Sequence, residues 1–290
     1  MNGAVVRARP HTYLLTRLNR NKAAVIGLGI ILLLAFVAVF APFLAPHHPY
    51  EQNPEQALLP PHPEYPCGTD DLGRCIFSRI IFGTRISLEI GIMVTAITAC
   101  VGVVMGLIAG YYGRLVDEII MRLVDILLAF PGLVLALAIA GLLGPGLFNV
   151  MLALAVVGWM GYARVVRGAV LAVKEKEFIE SAKALGATDF YILTRHILPN
   201  VIAPVIVMAT LGIGYVVLAA AALSFLGLGV QPPTPVWGAM LNSGKAFMRT
   251  APHLTVFPGL AIMITVLAFN FLGDGLRDIL DPRLNEREIE

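Results

Sequence analysis

Long apolar runs separated by short charged segments set the pattern of this chain from end to end. Each run holds about 20 or more predominantly apolar residues, which is the length a helix needs to cross the ~30 Å hydrocarbon core of a bilayer. The runs lack the two-residue alternation of barrel strands, and the turn signal Gly144-Pro145-Gly146 divides the longest of them. We predict six membrane-spanning helices, at residues 23–46, 87–112, 118–143, 148–173, 201–230 and 256–277.

The composition supports an integral membrane protein. Hydrophobic residues make up 58% of the 290 positions, charged residues make up 14%, and the mean hydropathy is +0.80. A soluble domain carries about 25% charged residues, so this chain has too few charges to cover a globular surface in water. The formal net charge of +2 is too small to indicate nucleic-acid binding. The first apolar run is longer than the roughly 7–15 residues of a secretory signal, so we expect an uncleaved first span.

The positions of Lys and Arg predict the orientation in the membrane. With a cytoplasmic N-terminus, sixteen of the 21 basic residues lie inside and five lie outside, as the positive-inside rule requires. Both termini are then cytoplasmic. The predicted organisation is a cytoplasmic segment 1–22, a first transmembrane helix 23–46, an extracytoplasmic segment 47–86, a five-helix core 87–277 with a cytoplasmic loop 174–200, and a cytoplasmic tail 278–290.

The loop 174–200 is charged, although it lies between two of the most hydrophobic segments. Phe178, Ala182 and Leu185 recur at helical spacing and predict a short helix with an apolar stripe. Glu180 and Lys183 are spaced to pair on one face of that helix. A glycine at position 186 is suited to end it in a left-handed conformation.

A second short helix is predicted after this turn. Thr188 is suited to be its N-cap, and Pro199 is expected to end it, because the residue before a proline avoids helical angles. Two functions fit the pair of helices. One is an amphipathic connector that lies on the membrane surface, which helix physics alone favours. The other is a docking element for a cytoplasmic partner.

The spacing of residues in this loop resembles that of a known family. Glu180-Ser181-Ala182, Gly186 and Ile197-Leu198-Pro199 resemble the EAA loop of ABC importer permeases, with Ser181 in place of an Ala and His196 in place of an Ile. In that family the loop forms the coupling helix, which sits in a cleft of the ATPase subunit. The resemblance implies an ATPase-coupling loop that includes Phe178, Glu180, Ala182, Leu185, Gly186 and Pro199.

Other segments resemble the permeases of dipeptide, oligopeptide and nickel importers. Residues 66–91, PCGTDDLGRCIFSRIIFGTRISLEIG, carry the subfamily signature, and residues 121–131, 223–238 and 273–282 fit it as well. The match covers most of the chain from residue 21 onward and points to the second permease of the pair. The extracytoplasmic signature residues are Gly68, Thr69, Asp70, Gly73, Arg74, Ser78 and Arg79. Cys75 replaces an Asp that is usual in the family.

The resemblance implies a type I ABC importer permease, an all-α protein of the cell (inner) membrane that is not itself an enzyme. The implied partners are a second, homologous permease in a heterodimer, two cytoplasmic ATPase subunits, an extracytoplasmic solute-binding protein and membrane lipid. No cofactor is expected on this chain, and ATP and magnesium belong to the ATPase subunits. The sequence agrees, because its nearest P-loop candidate, GAMLNSGKA at 238–246, has the wrong glycine spacing and an Ala where Ser or Thr should bind magnesium.

Two other classes of membrane protein fit less well. A secondary transporter usually places ionisable residues in midspan for ion coupling, whereas Glu89, Asp125, Arg164 and Arg167 lie near the ends of their spans. Asp125 is instead spaced to pair with Arg122 of its own helix. A six-helix channel needs a charged ring or a filter loop, and the sequence shows neither.

The carboxyl end of the last span also carries a charged group. Asp274, Arg277 and Asp278 are spaced at i, i+3 and i+4. A helix-end salt bridge and a contact with the ATPase or the partner permease both fit this spacing.

Peptides are the first-choice substrate, and nickel or a metal chelate is the alternative. His47-His48 favours metal only weakly, because two adjacent histidines make a poor site without further ligands. A disulfide between Cys67 and Cys75 is possible, because their segment is predicted to be extracytoplasmic. Spacing alone does not fix that connectivity.

Overall fold

The computed structural model describes residues 21–280, and its regular structure is helical. The α-helices are α1 (Lys22–Val39), α2 (Ala41–Leu44), α3 (Ile76–Tyr112), α4 (Arg114–Leu128), α5 (Gly132–Leu143), α6 (Leu147–Lys174), α7 (Glu177–Ala184), α8 (Asp189–Tyr191), α9 (Leu198–Phe225), α10 (Trp237–Gly244) and α11 (His253–Leu280). A π-helical stretch, Ile192–Ile197, joins α8 to α9. The predicted terminal segments lie outside the described residues, apart from residues 21–22 and 278–280.

Five helical segments are long and apolar enough to cross a membrane. They are α1, α3, α6, the continuous segment from α8 through α9, and α11. The bent pair of α4 and α5 makes a sixth span when the two helices are counted together. The prediction of an all-helical membrane protein is confirmed, and the six predicted spans correspond to these five segments and the bent pair.

The predicted third span, residues 118–143, is not one straight helix. It consists of α4 and α5, which are bent by 87° relative to each other. The break falls at Pro131, which has no amide hydrogen to donate and which disfavours helical angles in the residue before it. The 12 residues of α5 are about 18 Å long at 1.5 Å per residue, so α5 is shorter than the hydrocarbon core. The uncharged run 126–163 continues across the proline, so hydropathy alone does not show this break.

Two more predicted spans begin or end at different residues in the structure. Helix α3 begins at Ile76 instead of residue 87 and is 37 residues long, because polar side chains in its first turns, such as Ser78 and Arg79, are buried against neighbouring segments. Helix α9 ends at Phe225 instead of residue 230. It stops there because Gly227 adopts a positive φ of 87° and its amide donates to the carbonyl of Ser224.

A row of three glycines lets α3 and α6 pack with their backbones close together. Gly102, Gly106 and Gly110 recur every four residues on α3 and are buried. A Cβ atom on Gly102 would lie 2.6 Å from the carbonyl oxygen of Trp159, and one on Gly106 would lie 2.6 Å from that of Ala163. Small residues at this spacing are a common device for close helix packing in membranes. Helices α3 and α6 therefore form a tightly packed pair at the centre of the bundle.

The first and last long helices lie side by side. A Cβ atom on Gly27 of α1 would lie 2.6 Å from the carbonyl oxygen of Ala268 of α11. At the end of the same contact, Asn21 Nδ2 donates a hydrogen bond of 3.2 Å to Asp278 Oδ2. Both ends of the described chain therefore lie at the same end of the bundle, as six crossings require.

We use two names for the ends of the bundle. The end that contains residues 66–79 is the signature end. The end that contains residues 174–200 is the loop end, and it also contains Asn21 and Asp278. Helix α3 runs from the signature end, where it begins, to the loop end, where the Nζ atom of Lys174 donates a 2.9 Å hydrogen bond to the carbonyl of Gly110.

Candidate functional site

The loop 174–200 is a helix–turn–helix, as its sequence predicts. Helix α7 ends at a glycine turn in which Gly186 has a φ of 79° and donates to the carbonyl of Lys183 at 3.0 Å. The amide of Ala187 returns to the carbonyl of Ala182 at 3.1 Å, which completes a Schellman cap. Thr188 then caps α8, because its hydroxyl accepts from the amide of Tyr191.

The prediction that Pro199 ends the second helix is wrong. Leu198, the residue before this proline, keeps helical angles of φ −52° and ψ −46°. The helix continues from α8 to the end of α9, and Pro199 lies in the first turn of α9. The π-helical stretch just before it changes the hydrogen-bond pattern, since the amide of Leu198 donates to the carbonyl of Leu193, five residues back. The helical segment therefore continues through the proline, after a π-helical stretch.

One side of the loop is fixed to the helical bundle. Ile179, Ile192 and Ile197 are fully buried. They pack in one hydrophobic cluster with Val170 of α6 and Val201 of α9. The apolar stripe predicted for α7 is thus only partly correct, because its main buried residue is Ile179, which the stripe does not include.

The opposite side of the loop exposes large apolar side chains. Leu185 is 88% exposed and Phe190 is 77% exposed, and they flank the turn at Gly186. Phe178 is 40% exposed, and its ring centroid lies 6.2 Å from that of His196. Among the residues predicted for coupling, Leu185, Gly186 and Phe178 are therefore exposed.

The remaining predicted coupling residues have other surroundings. Glu180 and Pro199 are exposed, and Ala182 is partly buried against the cluster beneath the loop. The Glu180–Lys183 ion pair is not formed among the described residues. Lys183 Nζ instead lies 5.5 Å from the ring centroid of Tyr111 on α3.

Two ion pairs join α4 to α6 near the loop end. Arg164 Nη2 lies 2.5 Å from Asp125 Oδ1, and Arg167 binds Asp117 through two nitrogen atoms. The predicted pairing of Asp125 with Arg122 is wrong, because Arg122 lies near Glu118 at 4.0 Å. Asp125 therefore pairs with a residue of a neighbouring helix instead of one on its own helix.

The signature end is organised by a tight turn around Asp70. Asp70 Oδ1 accepts hydrogen bonds from the amides of Leu72 and Arg74, at 3.0 and 2.9 Å, and Asp70 Oδ2 accepts from Arg74 Nε at 2.6 Å. Gly73 closes the turn with a φ of 74° and donates its amide to the carbonyl of Asp70. Asp70 and Arg74 are 7% and 4% exposed, so this is a buried, hydrogen-bonded ion pair.

Arg79 connects this turn to two distant segments. Its Nε atom lies 3.6 Å from Asp70 Oδ2. Its Nη1 atom donates to the carbonyl of Pro49 at 3.0 Å and to that of Pro233 at 3.2 Å. One buried guanidinium therefore holds together the segment after α2, the start of α3 and the segment between α9 and α10.

The other signature residues complete the same structure. The Thr69 hydroxyl accepts from the amide of Leu59 at 2.9 Å, and the Ser78 hydroxyl accepts from the amide of His47 at 3.1 Å. Gly68 has a φ of 79°, and a Cβ atom there would lie 2.7 Å from the ring of His253. All seven predicted signature residues are thus brought together at the signature end.

The possible disulfide between Cys67 and Cys75 is not present, because both are free cysteines in the structure. Cys75 is the N-cap residue of α3, and its side chain makes no capping hydrogen bond. Burial, followed by the nearby Cys75, raises the pKa of the Cys67 thiol to about 11. The thiol of Cys67 is therefore protonated near neutral pH and is a poor nucleophile.

Tyr111 and Lys174 hold the loop to α3, although the sequence pattern singled out neither of them for such a role. The Tyr111 hydroxyl donates a 2.6 Å hydrogen bond to Asp189 Oδ1 at the start of α8. Both residues lie at helix ends next to charged segments, and this position indicates a role in holding the loop only weakly. Their partners are distant in sequence, so no local pattern reveals them.

Comparisons with known proteins agree with the fold. Residues 102–286 match the family described as binding-protein-dependent transport system inner membrane component, and residues 12–61 match the N-terminal transmembrane domain of oligopeptide transport permease C. The inward-facing MetNI methionine ABC transporter has a TM-score of 0.56 at 19% identity, over 70% of this chain and 97% of that chain. This structural likeness shows a shared fold.

Curated relatives resemble the chain over nearly its full length. The dipeptide transport system permease protein DppC of Alkalihalophilus pseudofirmus is 48% identical, over 92% of this chain and 88% of that protein. The glutathione transport system permease protein GsiD of Pectobacterium atrosepticum is 47% identical, over 92% of this chain and 89% of that protein. The family predicted from the loop and the signature is confirmed: the chain belongs to the binding-protein-dependent inner membrane components and is an ABC importer permease of the oligopeptide permease C type.

Proposed function

We propose that this permease forms, with a second permease, the path by which an ATP-driven importer takes up short peptides, and that its 174–200 loop docks on an ATPase subunit. The observation that carries the docking proposal is the exposure of Leu185 and Phe190 around the turn at Gly186. In this family ATP is hydrolysed by separate subunits, so the permease has to receive the energy through a contact.

The docking surface is built for a protein partner. The loop is held to the bundle by three fully buried isoleucines on one side. Its other side presents two large apolar side chains from a segment that is otherwise charged. Exposing such side chains to water is unfavourable by about 1.5–3 kcal/mol each relative to full burial. An apolar cleft on the ATPase would remove this cost.

The proposed docking on an ATPase also predicts the orientation of the permease in the membrane. ATP is available in the cytoplasm, so the loop end is cytoplasmic and the signature end faces outside. The excess of Lys and Arg at the loop end supports this orientation. In the importer, an extracytoplasmic binding protein delivers the peptide to the signature end, and ATP binding and hydrolysis switch the permease between two states.

A peptide substrate is supported by the names of the relatives. One is a dipeptide permease and another a glutathione permease, and each is similar to this chain over about nine-tenths of its length. Glutathione is itself a short peptide. Residues 21–280 contain no group of three or more His, Cys, Asp or Glu side chains that could hold a metal ion, and no relative quoted above is a metal permease.

Docking can be tested with a double variant and a matched control. Leu185→Ser with Phe190→Ser makes both exposed side chains polar, and Met248→Ser makes the same change at a residue that is 58% exposed near the signature end. Each form is tagged and co-expressed with the partner permease and the ATPase subunits. The measurements are the amount of ATPase that copurifies and the uptake of a labelled dipeptide.

We expect the double variant to insert normally, to lose most of the copurifying ATPase and to lose uptake. Met248→Ser should retain the copurifying ATPase. Full retention of the ATPase by the double variant would refute docking through these residues and would favour a loop that lies on the membrane surface. Peptide specificity is tested separately, because unlabelled dipeptide should compete for uptake and nickel should not.

A further inference from the structure

Tyr111 lies between the two short helices of the docking loop. Its hydroxyl donates a 2.6 Å hydrogen bond to Asp189 Oδ1, at the first residue of α8. Its ring centroid lies 5.5 Å from Nζ of Lys183, which belongs to the last turn of α7. One aromatic side chain on α3 therefore touches both helices, on either side of the turn at Gly186.

Gly110, which precedes Tyr111 on α3, holds the start of the loop. Lys174, the last residue of α6, donates through Nζ to the carbonyl of Gly110 at 2.9 Å. Gly110 packs closely on α6, since a Cβ atom there would lie 2.7 Å from Cβ of Val170. The end of α3 is thus attached to the loop at its entry, at α7 and at α8, through two consecutive residues.

The same helix is anchored at the signature end. Ser78 and Arg79, in the first turn of α3, bind the segment after α2 and the segment between α9 and α10. Arg79 and Tyr111 are joined by uninterrupted helix. They are separated by about 48 Å along the axis at 1.5 Å per residue.

We propose that Tyr111 is a positioning residue that makes the docking loop move with α3, so that the arrival of a loaded binding protein at the signature end is communicated to the ATPase. This inference rests on the proposed function. The isoleucines beneath the loop hold it to the bundle through apolar contacts, which have no preferred direction. The hydrogen bond from Tyr111 to a carboxylate is directional and charge-assisted, and it fixes the position of α8 relative to α3.

The bond lies beside the docking surface without being part of it. Asp189 is adjacent in sequence to Phe190, whose side chain is 77% exposed. Moving α3 would therefore move Asp189 and, with it, the apolar side chain proposed to contact the ATPase. Without the bond, the loop would still dock, because Leu185 and Phe190 are unchanged. Its position would, however, no longer depend on the position of α3.

The test uses the whole complex, with both permeases and both ATPase subunits, reconstituted in nanodiscs. The variants are Tyr111→Phe, Asp189→Asn and the two combined, all of which keep the size of the side chain. Tyr112→Phe is the matched control, because the hydroxyl of Tyr112 has no hydrogen-bond partner within residues 21–280. ATP hydrolysis is measured with and without the peptide-loaded binding protein, and the retained ATPase is quantified.

We expect Tyr111→Phe and Asp189→Asn to retain the ATPase and the basal hydrolysis rate, and to reduce stimulation by the loaded binding protein roughly fivefold or more, a typical size for coupling between sites. The double variant should be no worse than either single variant, because both remove the same bond. Tyr112→Phe should behave like the wild type.

Other results would overturn the inference in distinguishable ways. Wild-type stimulation in both single variants means that the bond transmits nothing. Equal loss of basal and stimulated hydrolysis, with loss of the ATPase, means that the bond is purely structural. If the wild-type complex does not retain an ATPase or is not stimulated by a loaded binding protein, the proposed function itself fails, and this inference fails with it.

Discussion

Gly106 of α3 lies so close to Val166 of α6 that a Cβ atom added to the glycine would stand 2.7 Å from Cβ of the valine. Such a distance is shorter than van der Waals contact, so only hydrogen fits at this position. The close approach extends along the helix to Gly102 and Gly110. It brings the backbones of the two central helices together.

Gly106→Ala should therefore destabilise the protein, although alanine is the better helix former. The methyl group would meet the carbonyl oxygen of Ala163 at 2.6 Å, and overpacking of this kind typically costs about 1–3 kcal/mol. Gly168→Ala is the matched control on α6, since a Cβ atom there has nothing within 4 Å. Thermal unfolding in detergent should show a lower midpoint for Gly106→Ala only. Equal midpoints for the two variants would contradict the packing described here.

Gly186→Val should abolish uptake while the protein still inserts in the membrane. A Cβ atom at Gly186 meets nothing within 4 Å, so space is available and the backbone is the obstacle. The φ of 79° is strongly unfavourable for a β-branched residue and tolerable for asparagine. Gly186→Asn should therefore keep most of the uptake of labelled dipeptide. The prediction fails if valine and asparagine give the same rate.

Asp70→Asn should be strongly destabilising. The change leaves the buried guanidinium groups of Arg74 and Arg79 without the carboxylate they share, and breaking a buried pair in this way costs about 3–5 kcal/mol. Glu64→Gln removes a carboxylate from an exposed residue of the same segment, and it should change stability by less than about 0.5 kcal/mol. The measurement is again thermal unfolding in detergent. A small effect of Asp70→Asn would show that water reaches the two arginines.

Cys67 should react slowly with a maleimide in native membranes near pH 8. Burial raises the pKa of its thiol from 9.0 to about 11, so only about one molecule in a thousand is the reactive thiolate at that pH. Because the pKa is raised, the rate should increase with pH up to about 11, beyond the point at which an ordinary thiol levels off. In denatured, unreduced protein all three cysteines should react. One reactive thiol that becomes three on reduction would instead reveal the Cys67–Cys75 disulfide.

The long apolar runs were enough to predict the membrane fold, because a ~30 Å core imposes a minimum length on every span. They were not enough to predict the break at Pro131, since the uncharged run 126–163 continues across the proline. The predicted start of α3, at residue 87, comes later than the observed start at Ile76 for a related reason. Arg79 looks like a residue in water, but it is buried by carbonyl groups of Pro49 and Pro233, which no local pattern contains.

The loop shows the same division between local and distant information. The turn at Gly186 and the cap at Thr188 depend on neighbouring residues, and both were predicted. The continuation of the helix through Pro199 was not predicted, because the sequence does not show the π-helical stretch that precedes the proline. The pairing of Asp125 was also mispredicted, because a partner on another helix replaced the one on its own. A local sequence pattern does not reveal contacts between segments that are distant in sequence.

The contact between the two ends of the described chain constrains how the protein is made. Asn21 and Asp278 are 257 positions apart, and a ribosome that adds about 5–20 residues per second needs roughly 13–50 s to cover that distance. During this time α1 is already in the bilayer, with its small residues facing lipid instead of α11. The first helix to be inserted therefore completes its packing only after α11 has been made, and quality control in the membrane has a window in which to recognise it.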